Sequence, residues 1–257
     1  MLLPFQELAV RTGATLKWFD LDDEGRILAN TADEVITERT KIVAVTHVGN
    51  TTGAITDIAP MVKRAHEVGA VVVLDACQSV PHLKIDLHAL DVDFAAWSAH
   101  KMYGPTGVGF LYGKRDMLEA LPPANFGGSM VELAWMDQEA QYMAPPARFE
   151  AGTQPVAQVV AAGVAAEWLM NIGMENLEAH ERVIAGELLK MGQIDGVRIL
   201  GPQTNEQRIG TVAFEIDGVH PHDVGQFIDA QGIAIRVGHH CAQPVHRHFG
   251  VYASNRA

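Results

Sequence analysis

Lys101 stands in "AAWSAHKMYGPTGVGFLYG" (Ala95–Gly113), where an apolar run gives way to Ser98, His100 and a Gly104-Pro105-Thr106-Gly107 turn. A lone lysine at such a place is ordinarily a solvated surface residue. A lysine in a partly desolvated pocket beside other cationic groups has a lowered pKa and becomes a nucleophile, which Schiff-base chemistry with an aldehyde cofactor needs. The turn after it lets the backbone fold closely around a ligand. Asp75 ends "VVVLDA", and a carboxylate after four apolar residues is costly unless it is paired. Its plain structural role is a helix N-cap. Its chemical role would be to pair with a protonated ring nitrogen, as pyridoxal phosphate requires. Gln78 lies one short turn on, and Asn50 follows "VTHVG"; either is suited to a ring hydroxyl. Singly these residues say little. Asp75-x-x-Gln78 followed by Ser98-x-His100-Lys101, each at the end of an apolar run, is a specific combination.

A second group lies in "RVGHHCAQP" (Arg236–Pro244). Cys241 follows His239 and His240 and is within reach of Arg236, and nearby cations favour the reactive thiolate form of a cysteine. The ordinary fate of a lone cysteine is burial as an inert small hydrophobe. A metal site is the rival reading, since His239, His240, Cys241, His246 and His248 are all possible ligands. Adjacent His-His-Cys residues do not easily face one ion, and the His246-x-His248 pair lacks the paired-cysteine spacing of structural zinc sites, so no metal is expected. Cys77, beside Asp75, reads as packing.

These residues need elements to hold them. "KIVAVTHV" (Lys41–Val48), "AVVVLDACQ" (Ala70–Gln78) and "VDFAAWSAH" (Val92–His100) read as strands, with "VGFLYG" (Val108–Gly113) a further one. "ITDIAPMVKRAHEVG" (Ile55–Gly69) reads as a helix ending at glycine. Strand–helix–strand spacing predicts an α/β fold, a mainly parallel sheet flanked by helices, whose ligands sit beyond the carboxyl ends of the strands. Residues 121–155, rich in Pro and Gly, read as a loop or hairpin. Two helical stretches follow (Val156–Gly173 and Met174–Gln193), then "VRILGP", "GTVAFEI", a helix "PHDVGQFIDAQG" and "GIAIRVG". The expected division is a large domain over residues 1–155 and a linking helix with a smaller α+β domain over 156–257. Met1 opens almost directly on a helical pattern, and the chain stops at Ala257 with no closing element, so the sequence reads as a fragment truncated at both ends.

Composition bounds the function. The 257 residues are 48% hydrophobic and 19% charged, with a net charge of −12. An acidic chain is not expected to bind nucleic acid or an anionic membrane broadly. No apolar run has the length of a membrane span, and the first residues lack the pattern of a signal peptide. Two cysteines far apart point to a reducing, cytoplasmic compartment.

Five stretches, "THVGNTTG", "LDACQSVPH", "SAHKMYGPTG", "RFEAGTQP" and "RVGHHCAQP", make the chain resemble the SufS-type cysteine desulfurases, class V aminotransferases of pyridoxal-phosphate fold type I. The resemblance implies that Lys101 holds pyridoxal 5'-phosphate, that Asp75 pairs with its ring nitrogen, and that Asn50 and Gln78 contact its ring hydroxyl. It implies that Ser98 and His100 bind the phosphate and that Thr153 reaches the phosphate of a partner subunit in a homodimer. Arg256, with Arg236 nearby, would grip the carboxylate of L-cysteine. Cys241 would take the sulfur as a persulfide and pass it to an acceptor protein of iron–sulfur cluster assembly. The family's Gly-Thr-Thr phosphate loop and ring-stacking histidine lie upstream of Met1. A selenocysteine lyase, another class V lyase, or an inactive fragment without that phosphate loop fit the same residues.

Overall fold

The computed structural model describes residues 1–257. Helix α1 spans Leu2–Thr12 and a short α2 spans Ala32–Val35. Strand β1 (Ile42–Thr46), helix α3 (Ala59–Glu67) and strands β2 (Val71–Asp75), β3 (Phe94–Ser98) and β4 (Gly109–Gly113) come next. Strand β1 lies parallel to β2, with Ile42 opposite Val71 and Thr46 opposite Asp75. Strand β2 is parallel to β3, and β4 turns back antiparallel so that Ser98 faces Gly109. The sheet order is therefore β1-β2-β3-β4, parallel with one antiparallel edge.

Alternation explains how this sheet packs. Val43, Val45, Val72, Leu74 and Ala95 point to one face and are buried against Met61, Val62 and Ala65 of α3. The chain emerges from the parallel strands at Thr46, Asp75 and Ser98, so the residues just beyond them share one edge of the sheet. Helix α3 begins later than the sequence pattern suggests, at Ala59 with Pro60 in its first turn. Residues 54–56 are extended instead. Thr56 N–H donates to His47 O at 2.8 Å and Ile55 N–H to Gln207 O at 2.9 Å.

Helix α4 (Arg115–Ala120) leads to a two-stranded ribbon, β5 (Val131–Leu133) and β6 (Gln141–Tyr142), inside the expected loop or hairpin region. Helices α5 (Val156–Ile172) and α6 (Met174–Leu189) then carry the chain to a second sheet. Its elements are β7 (Val197–Leu200), β8 (Ala213–Ile216), α7 (Pro221–Asp229), β9 (Arg236–Gly238), α8 (Gln243–His248) and β10 (Ser254–Arg256). The strand order is β7-β8-β10-β9, and every pair is antiparallel.

Strand β10 is an element that the sequence pattern did not reveal. It fills the gap between β8 and β9, and Val212 and Ala257 exchange two backbone hydrogen bonds of 2.9 Å. Three residues, Ser-Asn-Arg, carry no hydrophobic alternation by which to recognise a strand. Strand β9 is likewise only the last part of "GIAIRVG".

The two sheets are tied by polar contacts from loops. Arg26 donates to the carbonyls of Gln207 and Glu206 at 2.9 and 2.7 Å. His248 Nε2–H donates to Asp22 O at 2.8 Å, and His82 Nδ1 meets a carboxylate oxygen of Glu181 on α6. No single helix is long and apolar enough to cross a membrane.

Candidate active site

The edge at the ends of β2 and β3 gathers Asp75, Cys77, Ser98 and Lys101. Asp75 Oδ1 accepts from Cys77 N–H at 3.0 Å, so the carboxylate does take up a local capping role. The half-buried Cys77 thiol faces the others. Burial and the Asp75 carboxylate push its pKa up, while Lys101 and a hydrogen bond with Ser98 pull it down. Lys101 closes a tight turn in which Ala99 O accepts from Met102 N–H and Gly104 N–H, both at 2.9 Å. A Cβ on Gly104 would sit 2.9 Å from that same carbonyl, so only glycine lets the turn close. The expectation of a partly desolvated pocket does not hold within residues 1–257. Lys101 and His100 are both exposed, because they lie past the last rung of the sheet with no element packed over them. Gln78 is half-buried one turn from Asp75, and Thr153 is exposed just ahead of α5.

The second half of the site is the Cys241 loop. Arg236 and Arg256 are directly opposite each other on β9 and β10. Burial and then Arg236 lower the pKa of Arg256, and Cys241 acts in the opposite direction. The thiol is therefore within electrostatic reach of that guanidinium. Arg256 Nη1–H donates to Asn50 O at 2.8 Å, and Asn50 Nδ2–H donates to His240 O. Asn50 thus fastens the end of β1 to both the cysteine loop and the arginine. His240 and Cys241 have φ of +49° and +60°, a left-handed pair that turns the chain sharply and leaves Cys241 exposed. His240 itself is buried, and burial, followed by Arg256, lowers its pKa to about 4.

No three His, Cys, Asp or Glu side chains are grouped so as to hold an ion. His246 is buried with both ring nitrogens engaged within the protein, and His248 is spent on Asp22. Sequence reasoning missed Ser254, which lies 0% exposed beneath the loop. It also missed Arg208, which is buried and donates to the carbonyls of Pro202, Ile209 and Thr211. Neither has a local signal, because their partners come from segments the sequence alone does not bring together.

The donor set at the β2/β3 edge fits pyridoxal phosphate. Asp75 offers a carboxylate that could face a ring nitrogen, and Ser98 and His100 offer a hydroxyl and an imidazole that could hold a phosphate. Lys101 supplies an amine that no carboxylate of the chain holds, since none of the ion pairs includes it. An anionic group between the two facing arginines would relieve their repulsion.

A family model described as "Aminotransferase class-V" matches residues 1–257. The chain is 51% identical over its whole length to a probable cysteine desulfurase 2 of Mycobacterium leprae, and spans 61% of that relative. Two solved structures superpose on all of the chain. One is an apo cysteine desulfurase from Thermococcus onnurineus, with a TM-score of 0.95 and 34% identity, of which the chain covers 64%. The other is a cysteine desulfurase in S-sulfonic acid form from Escherichia coli, with a TM-score of 0.94 and 36% identity, of which the chain covers 63%.

Proposed function

The chain belongs to the class-V aminotransferase family, and on that footing we propose that it carries the main catalytic residues of a pyridoxal-phosphate-dependent cysteine desulfurase of the SufS type. The substrate is L-cysteine, and the products are L-alanine and a persulfide on Cys241. The observation that carries this reading is that the Cys241 loop and Arg256 are both fastened to Asn50 at the end of β1, with the Cys241 thiol within electrostatic reach of Arg256. It joins a thiol, a carboxylate grip and the strand end of the cofactor sheet.

Bound pyridoxal phosphate would act as an electron sink for the substrate's α-carbon. Asp75 would hold its ring nitrogen protonated, Ser98 and His100 its phosphate, and Asn50 and Gln78 its ring hydroxyl. Lys101 would be the covalent anchor and, once free, the base that moves the α-proton. Arg256, with Arg236 behind it, would orient the substrate carboxylate. The Cys241 sulfur would attack the substrate sulfur. The new S–S bond forms as the C–S bond breaks, and the carbon receives that electron pair and then a proton, giving alanine. Sulfur is oxidised and carbon reduced, so no outside oxidant is needed.

A homodimer with Thr153 reaching across to the partner's phosphate, an acceptor protein of iron–sulfur assembly, and a cytoplasmic setting complete the proposal. The free thiols of Cys77 and Cys241 support a reducing setting. The division at residue 155 is supported by the two sheets, which draw their strands from either side of it. The test is to incubate the chain with pyridoxal phosphate and L-cysteine and to map added sulfur by mass spectrometry. An adduct on Cys241 with alanine released is the expected result. Sulfur on Cys77 alone, or no alanine, would sink the proposal.

A further inference from the structure

Ser254 is the hub of a buried network beneath the Cys241 loop. Its backbone carbonyl lies 3.2 Å from His240 Nε2, and its hydroxyl lies 2.9 Å from His246 Nε2. His246 Nδ1 lies 3.0 Å from Ala242 O. The three residues are 0%, 7% and 2% exposed. A carbonyl oxygen only accepts, so these contacts fix where the protons are. His240 must carry its proton on Nε2, leaving Nδ1 bare, buried and without a partner. His246 must carry its proton on Nδ1, and its Nε2 then accepts from the Ser254 hydroxyl. The two imidazoles, 5.7 Å apart between ring centres, are therefore opposite tautomers joined through one serine.

The residues so held flank the thiol on both sides. His240 is fixed through its ring to β10 and through its carbonyl to Asn50. Ala242 is fixed through its carbonyl to His246. Only residue 241, between them, is left unfastened and exposed.

We infer that His246 is a positioning residue for Cys241, working with Ser254 and His240 to hold the loop that keeps the thiol beside Arg256. It touches neither substrate nor cofactor. The inference rests on the proposed use of Cys241 as sulfur acceptor, and the experiment separates the two.

The probe is alkylation of the intact chain by iodoacetate and by iodoacetamide, followed at each cysteine by mass spectrometry. The ratio of the two rates, compared with that of a free cysteine peptide, cancels the ionisation of the thiol. It reports whether a carboxylate is drawn to it. Cys77, which lies outside the loop, reports whether the fold as a whole has loosened.

In the wild-type chain, Cys241 should favour iodoacetate by roughly tenfold, the low end of electrostatic steering. His246→Leu removes both ring hydrogen bonds and should erase the preference with Cys77 unchanged. His246→Asn keeps a donor for Ala242 O and should retain most of it. A wild-type chain without the preference overturns the carboxylate grip of the proposed function. A His246→Leu variant that keeps it overturns the positioning role. Should Cys77 react faster in His246→Leu as well, nitrogen-15 imidazole shifts of the wild-type chain decide. Protonation on Nδ1 at His246 and on Nε2 at His240 upholds the network, and any other pair of tautomers overturns it.

Discussion

Arg236 and Arg256 face each other directly across β9 and β10. Like charges at such a spacing destabilise a sheet, and neither arginine forms an ion pair with a carboxylate of this chain. Arg256 donates to Asn50 O, whereas Arg236 is exposed. An anion seated between them would turn this repulsion into attraction.

Arg256→Ala should therefore hurt twice, losing the proposed carboxylate grip and the tie to Asn50. A hydrogen bond to a charged group is worth about 1.5–3 kcal/mol, so kcat/KM for L-cysteine should fall roughly 10- to 100-fold. Arg236→Ala should lose less. Steady-state alanine release measures both, and equal losses in the two variants would contradict the unequal roles.

One substitution can separate the capping contact of Asp75 from its proposed pairing with the cofactor ring. Asp75→Asn keeps an oxygen for Cys77 N–H and removes the charge. The variant should melt close to wild type. A nearby opposite charge is worth about 1–3 pKa units, so turnover should drop roughly 10- to 1,000-fold. Thermal unfolding beside turnover tests this, and near-normal turnover would leave Asp75 as a cap only.

The proposed cofactor lysine, Lys101, can be told from Lys114 by charge. Lys114 lies 2.6 Å from Asp91 and 2.9 Å from Asp93. Burial works against its proton, but the two carboxylates outweigh it and raise its pKa. An ammonium held so firmly cannot condense with an aldehyde. Borohydride reduction in the presence of pyridoxal phosphate should label the peptide with Lys101 and not that with Lys114, as peptide mapping will tell.

His240 predicts a pH dependence. Its pKa falls from 6.5 to about 4 on folding, so between those values the unfolded chain binds more protons and stability rises with pH. The contribution is complete above about pH 6.5 and is lost as the pH falls toward 4. A shift of this size corresponds to roughly 3 kcal/mol. His240→Gln keeps a donor for Ser254 O without titrating, so its melting temperature should fall less steeply between pH 6.5 and 4. An unchanged slope would show that other groups set it.

The gathering of strand ends at the candidate site was legible because it is local. Asp75, Ser98 and Lys101 each end or follow an apolar run, and parallel strands must bring such ends to one edge. Cys241 and Arg236 were legible as a cluster within nine residues. The His246–Ser254–His240 network was not. His246 stands in a His-x-His pattern that carries no signal of its partners, and its serine partner sits in a strand with no hydrophobic period. Segment 20–27 was also silent, because its meaning lies in contacts with residues 203–207 and 248. The exposure of Lys101 could not be foreseen from a motif that specifies only the turn around it.

The tie between Asn50 and His240 spans 190 residues of chain, and that between Asn50 and Arg256 spans 206. The hydrophobic clusters under the two sheets are built from much closer neighbours. Pairings so distant in sequence are slow to find and form after local ones, and they open at lower cost than a buried core. The thiol-and-arginine assembly should thus be the last part of the molecule to mature during refolding. Mild denaturant should scatter it while both sheets still resist exchange with solvent.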